Sequence, residues 1–196
     1  EAIGFLTRSL ELARREGADV SRTNEADARY NRSMAWLLLG NLKRGFEEYE
    51  YRLTTSENKK PNFGLPAAKK WNGQGTLEGK TLLLYCEQGL GDDIQFFRYL
   101  RPLVEIAKPA TIKMVCHAAT KVLLPTDLPI SMLEAGDEVG DYDAWEALMS
   151  LPYCFGVESD ADIKIAGPYV VPEDVNRSKH WKEQIATDAG FKVGVC

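Results

Sequence analysis

The chain has 196 residues, 44% of them hydrophobic and 27% charged, with a formal net charge of −5. That length suits one ordinary domain or two small ones. Residues 1–60 carry 11 Lys and Arg against 10 Asp and Glu, and residues 61–196 carry 13 against 19, so neither part offers a basic surface for nucleic acid. No apolar run reaches the length of a membrane span.

In chain order, the first pattern is helical. Ala2, Phe5, Leu6, Ser9, Leu10 and Leu12 share one stripe, with Gly17 as a stop signal. After a polar loop through Ser21, Thr23 and Asn24, a second helix is predicted over residues 25–39 and a third over 42–53. Gly40–Asn41 between them reads as a tight turn joining two helices. Residues 28–53, ARYNRSMAWLLLGNLKRGFEEYEYRL, resemble a tetratricopeptide repeat, a pair of helices packed through small residues and aromatics. Ser33, Trp36, Gly40, Leu42, Gly45 and Tyr49 match its framework positions, which implies burial of Trp36 and Tyr49 between the helices. Arg52 departs from the usual alanine. Residues 1–12 look like the second helix of a preceding repeat, so residues 1–53 form a helical unit that must cap or continue something larger.

Residues 54–79 are rich in Pro, Gly, Lys and Asn and read as a linker. Trp71 is its exception, because a tryptophan in a polar segment usually docks on a neighbouring surface. From residue 80 the pattern becomes α/β. KTLLLY (80–85) is a continuous apolar run, as a strand covered on both faces should be. Ile94, Phe97, Leu100 and Val104 form one face of the helix that follows, and Pro102 should kink or divide it. Residues 111–116 alternate as a strand, 117–124 suit a short helix, and 129–133 suit a third strand. Residues 141–152 are ambiguous between a strand leading into a turn and a short helix. Residues 171–190 carry the signals of a helix, and 191–196 begin another apolar strand, from which a longer native polypeptide is expected. Residues 80–170 are therefore assigned to one α/β domain, and 171–196 to a linking helix and the first strand of a second.

Chemistry concentrates at the turn CEQGLGDDIQ after the first strand. A strand–glycine–helix junction aims unpaired backbone N–H groups beyond the strand end, where ligands of open α/β sheets bind. Glycines let a ligand approach closely, so Gly89, Gly91 and Gln95 are substrate-binding candidates, and Glu87 and Gln88 are either cleft-lining residues or solvated loop residues. Asp92 has two readings: an N-cap for the helix, or a general base taking a proton from an attacking hydroxyl. His117, at the end of the second strand, is a substrate-binding candidate or a surface or capping residue. Ser150, near Pro152, reads as a cap, and His180, with Lys179 and Lys182, as part of a solvated helix face. The turn is not a dinucleotide fingerprint, because GLGDDI lacks the third glycine, and it is not a Walker A loop. No cofactor is expected. The four cysteines, Cys86, Cys116, Cys154 and Cys196, show no CxxC spacing and read as reduced thiols of a cytoplasmic protein. No metal site is expected, since His117 has no second ligand at a helical or hairpin spacing.

As a whole, residues 28–196 resemble bacterial proteins that join tetratricopeptide repeats to a two-domain glycosyltransferase, similar to heptosyltransferases and more distantly to O-linked N-acetylglucosamine transferases. The resemblance rests on GNLKRGFEEYEYRL, then WNG leading to LEGKTLLL, then EQGLGDDIQFFRYL, with LMSLP at 148–152, PY at 168–169 and KVGV at 192–195. It implies a Rossmann-like parallel-sheet domain on the acceptor side of a nucleotide-sugar transferase, with most of the donor site in a further C-terminal domain. It also implies that this portion is inactive alone, that Asp92 is the base, that the acceptor is a protein or glycan, and that the repeats hold a protein partner. A non-catalytic repeat scaffold is the alternative.

Overall fold

A computed structural model describes residues 1–15, 22–55, 57, 61–134, 136–163, 169–170, 175–187 and 190. Three helices come first: α1 (Ala2–Arg15), α2 (Arg22–Leu38) and α3 (Leu42–Tyr49). Gly40, at φ +74°, makes the turn between α2 and α3, and Asn41 caps α3 by accepting from the Arg44 N–H at 3.3 Å. The two helices approach closely because Gly45 has no side chain: a Cβ there would sit 2.4 Å from Leu37 Cδ2. Ser33 is buried nearby and donates to the Tyr30 carbonyl at 2.6 Å. Charge ties the same helices, with Arg32 paired to Glu48 and bonded to Thr7 of α1 at 2.9 Å. Tyr49 is buried. Trp36 of α2 is only half-buried, and the Arg44 guanidinium of α3 lies over its ring at 5.0 Å.

The α/β part is a four-stranded, fully parallel sheet: β1 (Thr81–Tyr85), β2 (Thr111–Val115), β3 (Ile130–Leu133) and β4 (Ala144–Ala147), in the order β3-β2-β1-β4. The chain steps outward from β1 to β2 to β3, then returns to the opposite side of β1 as β4. Strand order therefore reverses beside β1, the kind of place where open parallel sheets take ligands at the carboxyl ends of their strands. Leu82, Leu83 and Leu84 of β1 are fully buried, so the strand is covered on both faces. Each such leucine contributes about 1.5–3 kcal/mol of burial.

The two faces are covered by different means. Leu82 and Leu84 pack with Ile112 and Met114 of β2 and with Phe96, Phe97, Leu100 and Leu103 from α4 (Leu90–Phe96), α5 (Leu100–Ala107) and the turn between them. Pro102 accounts for the break at residues 97–99: without an N–H it cannot bond the Arg98 carbonyl four residues back. The buried stripe includes Asp93, Phe96, Phe97, Leu100, Leu103 and Ala107, while Ile94 is turned outward. On the other face Leu83, Val115 and Trp145 are covered by the segment that precedes β1. Phe63 stacks on Tyr85 at 4.4 Å and meets Trp145 edge-on at 6.2 Å, and the Trp145 indole donates to the Pro66 carbonyl at 2.7 Å. Asn62 and Phe63 hold φ of 53° and 58° to make that turn. Trp71 is buried, its backbone N–H donating to the Trp145 carbonyl at 3.0 Å and its ring against Phe155 at 6.4 Å.

Residues 141–152 resolve as β4 followed by a 3-10 turn and the short α6 (Leu151–Cys154). The 117–124 segment is a 3-10 turn at residues 118–123. The last described helix is α7 (Val175–Ala186). Gly17, Ser21, Pro168 and the expected strand at 191–196 lie outside the described residues. Among the described residues no helix is long and apolar enough to cross a membrane.

Candidate functional site

The carboxyl ends of β1, β2 and β4 share one edge of the sheet, and the candidate residues after β1 fall there in two groups. The first faces β4. Glu87 follows β1, and its side chain is 6% exposed. Its Oε1 accepts from Arg52 Nε at 2.9 Å and Nη2 at 2.5 Å, while its Oε2 is buried without a partner among the described residues. Arg52, just beyond α3, also donates to Glu50 at 2.9 Å, to the Tyr49 carbonyl at 3.1 Å and to Ser150 Oγ at 2.9 Å. Ser150 is thus a buried acceptor for Arg52. Lys70 bridges Glu50 at 2.7 Å and Glu146 at 3.5 Å, and Glu146, within β4, accepts from the Asn72 N–H at 3.0 Å. Gln88 donates to the Tyr49 hydroxyl at 3.1 Å.

Burial and charge compete in this cluster, with different winners. Burial pushes the Glu87 carboxyl up, and Arg52 does not fully offset it. Burial likewise raises Glu146 despite Lys70. Burial also opposes ionisation of Glu50, but Arg52 and Lys70 together outweigh it and hold that carboxyl low. Burial disfavours the Arg52 charge, but Glu87 and Glu50 hold it firmly protonated. The Tyr49 phenol is raised to about 12, chiefly by burial. Tyr49 and Arg52 thus fill the edge between β1 and β4 with the chain's own helical hairpin.

The second group lies at the start of α4 and just beyond β2. Gly89 is the N-cap of α4 at φ −78°. Asp92 is the third helical residue, and its Oδ2 accepts from the Gly89 N–H at 3.1 Å. This differs from an N-cap at Asp92: the carboxylate reaches back to the cap residue's N–H, as in one half of a capping box. Neither Gly89 nor Gly91 has positive φ, and a Cβ at Gly91 would meet nothing within 4 Å. Gln95 is exposed, and its carbonyl accepts from Arg98 Nε at 2.7 Å.

His117 lies two residues beyond β2. Its Nδ1 is 2.8 Å from Oδ2 of Asp93, and the side chains are 46% and 1% exposed. The Thr120 hydroxyl donates to the His117 carbonyl at 2.8 Å and reaches Asp93 Oδ2 at 3.4 Å. Cys86 and Cys116 are buried free thiols at the ends of β1 and β2. Their mutual hydrogen bond raises Cys86 and lowers Cys116. Among the described residues no group of three or more His, Cys, Asp or Glu side chains could hold a metal ion.

The structure thus separates Glu87 and Gln88, bonded to Arg52 and Tyr49, from Gly89, Gly91 and Asp92 at the start of α4 and from His117, which pairs with Asp93. Asp93 went unread in the sequence, although it falls on the apolar stripe of its helix. A carboxylate on a buried stripe is a signal in its own right, since it must find a partner. Arg52 and Tyr49 are the other additions.

Among curated proteins, Protein FlbA of Caulobacter vibrioides is 38% identical to this chain over 80 residues, which is 41% of the chain and 13% of that protein's length. No family model and no solved structure matches the chain.

Proposed function

We propose that the chain is the acceptor-side portion of a sugar transferase using a nucleotide-sugar donor, with a Rossmann-like sheet and a tetratricopeptide-like hairpin built against it. The observation that carries the reading is the pairing of His117, just beyond the carboxyl end of β2, with Asp93 of α4, the helix that follows β1 in a parallel sheet. Proton-accepting groups there suit attack by an acceptor hydroxyl on an activated sugar. The acceptor, a protein or glycan, lies along Gly89, Gly91, Gln95 and His117. The donor is held mainly by a further domain of the full-length protein, acting in the cytoplasm. The exposed Phe5, Leu38 and Leu39 give the helices apolar surface suited to a protein partner.

The test is sugar transfer by the full-length protein from a panel of uridine, guanosine and adenosine diphosphate sugars, beside calorimetry on residues 1–196. Transfer by the former, with no micromolar donor binding by the latter, is the expected result. Micromolar binding by residues 1–196 would move the donor site into this portion.

One observation favours a second reading, a repeat scaffold that only binds protein. Beyond β1 and β4, Gln88 and Ser150 are bonded to Tyr49 and Arg52, so a ligand there would compete with contacts the helical part already makes. Absence of transfer from every donor in the panel, with retained capture of a protein partner through the helices, would establish it.

A further inference from the structure

We propose that, in the transferase reading on which this inference rests, Nε2 of His117, oriented by Asp93, takes the proton of the acceptor hydroxyl, and that Asp92 does not. The two aspartates are adjacent in sequence but project to different surroundings. Asp92 bonds back to the Gly89 N–H at the start of its own helix. Asp93 turns inward, and its carboxylate meets the imidazole that follows the neighbouring strand.

Their geometry divides the work. A carboxylate only accepts hydrogen bonds, so the 2.8 Å contact places the ring proton on Nδ1. Nε2 on the far side of the ring then carries the lone pair. With 46% of the side chain exposed, the imidazole faces solvent while its orienting partner is buried. This is the base-and-orienter arrangement that keeps a histidine in its working tautomer. Thr120 steadies both members, through the His117 carbonyl and Asp93 Oδ2. The pair is set by the fold: His117 follows β2, Asp93 sits in α4 after β1, and β1 and β2 are hydrogen-bonded neighbours.

In the step, the acceptor oxygen forms a bond to the anomeric carbon of the donor while the bond from that carbon to the diphosphate oxygen breaks. The electron pair of the broken bond leaves with the nucleoside diphosphate. The hydroxyl proton moves to His117 Nε2, giving an imidazolium, and Asp93 remains a carboxylate. Nothing is oxidised or reduced. His117 is the catalytic residue of this step, and Asp93 is a positioning residue acting through it.

The test uses the full-length protein and reads nucleoside diphosphate released from the donor panel, with nitrogen-15 NMR of the imidazole tautomers. His117→Gln should lower turnover about 100- to 10,000-fold, the range for loss of a general base, with donor KM unchanged. His180→Gln, on exposed α7, should leave turnover as it is. Asp92→Asn should lose at least tenfold less than His117→Gln. Neutral His117 should carry its proton on Nδ1, and Asp93→Asn should shift it toward Nε2, a change that a merely structural aspartate would not produce. Turnover in His117→Gln within tenfold of wild type overturns the proposal, as does an Asp92→Asn loss as large as that of His117→Gln. In either case the transferase reading stands. A His117 tautomer protonated on Nε2 in the unsubstituted protein overturns the orienting role of Asp93 even if His117→Gln is inactive. If the unsubstituted protein consumes no donor at all, the transferase reading falls and this assignment falls with it.

Discussion

The sheet edge beside β4 and the sheet edge beside β2 start from the same strand, β1, yet they use charge in opposite ways. Beside β4, Arg52, Glu50, Glu87, Lys70 and Glu146 form a buried network spanning the hairpin, the segment before β1 and two strands. Beside β2, one buried carboxylate holds one half-exposed imidazole. The network joins elements distant in sequence at the cost of desolvating its members, of which Lys70 and Glu50 stay most exposed, at 15% and 16%. The pair joins two adjacent elements and leaves the imidazole side chain 46% exposed. Fixing parts together calls for enclosed charge, and proton transfer calls for a charge enclosed on one side only.

The largest expected effect breaks the enclosed side. Arg52→Ala removes the guanidinium that touches Glu87, Glu50 and Ser150. Loss of one member of a buried ionic network costs about 3–5 kcal/mol, to be read as the shift in urea denaturation. A loss below about 1 kcal/mol, the scale of an exposed ion pair, would mean that the hairpin is not held to the sheet through these charges. The next effect concerns how the hairpin is built. Gly45→Ala places a Cβ 2.4 Å from Leu37 Cδ2 and 3.2 Å from the Leu37 backbone nitrogen. Overpacking of that kind costs about 1–3 kcal/mol. Gly91→Ala on the open side is the counterpart: its Cβ meets nothing within 4 Å, and its φ is not positive. It should be neutral or stabilising by up to about 1 kcal/mol, the helix-propensity difference between the two residues.

A smaller effect separates two glutamates bonded to the same arginine. The Glu87 carboxyl lies above its ordinary value in the folded state. The folded form then binds more protons than the unfolded one between the two values, so this contribution is full in acid and is lost as pH rises through the raised value. Glu50 lies below its ordinary value. Its contribution is full above the ordinary value and is lost as pH falls through the lowered one. Denaturation from pH 3 to 8 should therefore show Glu50→Gln most harmful near neutrality and less so in acid, while Glu87→Gln compares best with the unsubstituted protein near neutrality. Parallel pH curves for the two variants would refute the division of labour around Arg52.

Much of the sheet was legible, because its strands are apolar runs. KTLLLY reads as a strand covered on both faces, and β1 is one. The runs at 111–116 and 129–133 become β2 and β3. β4 was ambiguous because it carries Glu146, a fully buried acid whose partners Lys70 and Asn72 lie more than 70 residues away. Phe63 was unreadable as a cover for the sheet, because its place depends on left-handed backbone at Asn62 and Phe63, which propensity does not foresee. Trp36 departs in the other direction: it is half-buried where full burial is expected, since an aromatic face can also be covered by a cation, here Arg44. At the candidate site, the strand–turn–helix spacing is matched by β1, the turn at residues 86–89 and α4. It could not say which of two adjacent aspartates faces inward, since that depends on helical phase and the turn at residue 89.

The smallest expected effect bears on that choice. Asp92 contributes one bond at the start of α4, from the Gly89 N–H at 3.1 Å. Asparagine keeps an acceptor oxygen at the same place, so Asp92→Asn should change stability by less than about 1 kcal/mol, the ordinary scale of a helix cap. Asp93→Asn keeps the shape but removes the carboxylate from a site where Asp93 is 1% exposed, against His117 and Thr120. Hydrogen bonds to charged groups contribute about 1.5–3 kcal/mol, so this variant should lose more stability than its neighbour. Urea denaturation of the pair, measured side by side, orders them. Equal losses would mean that the inward aspartate is no more committed than the outward one. The contrast between an enclosed charge network on one side of β1 and an oriented imidazole on the other would then fail at its weakest point.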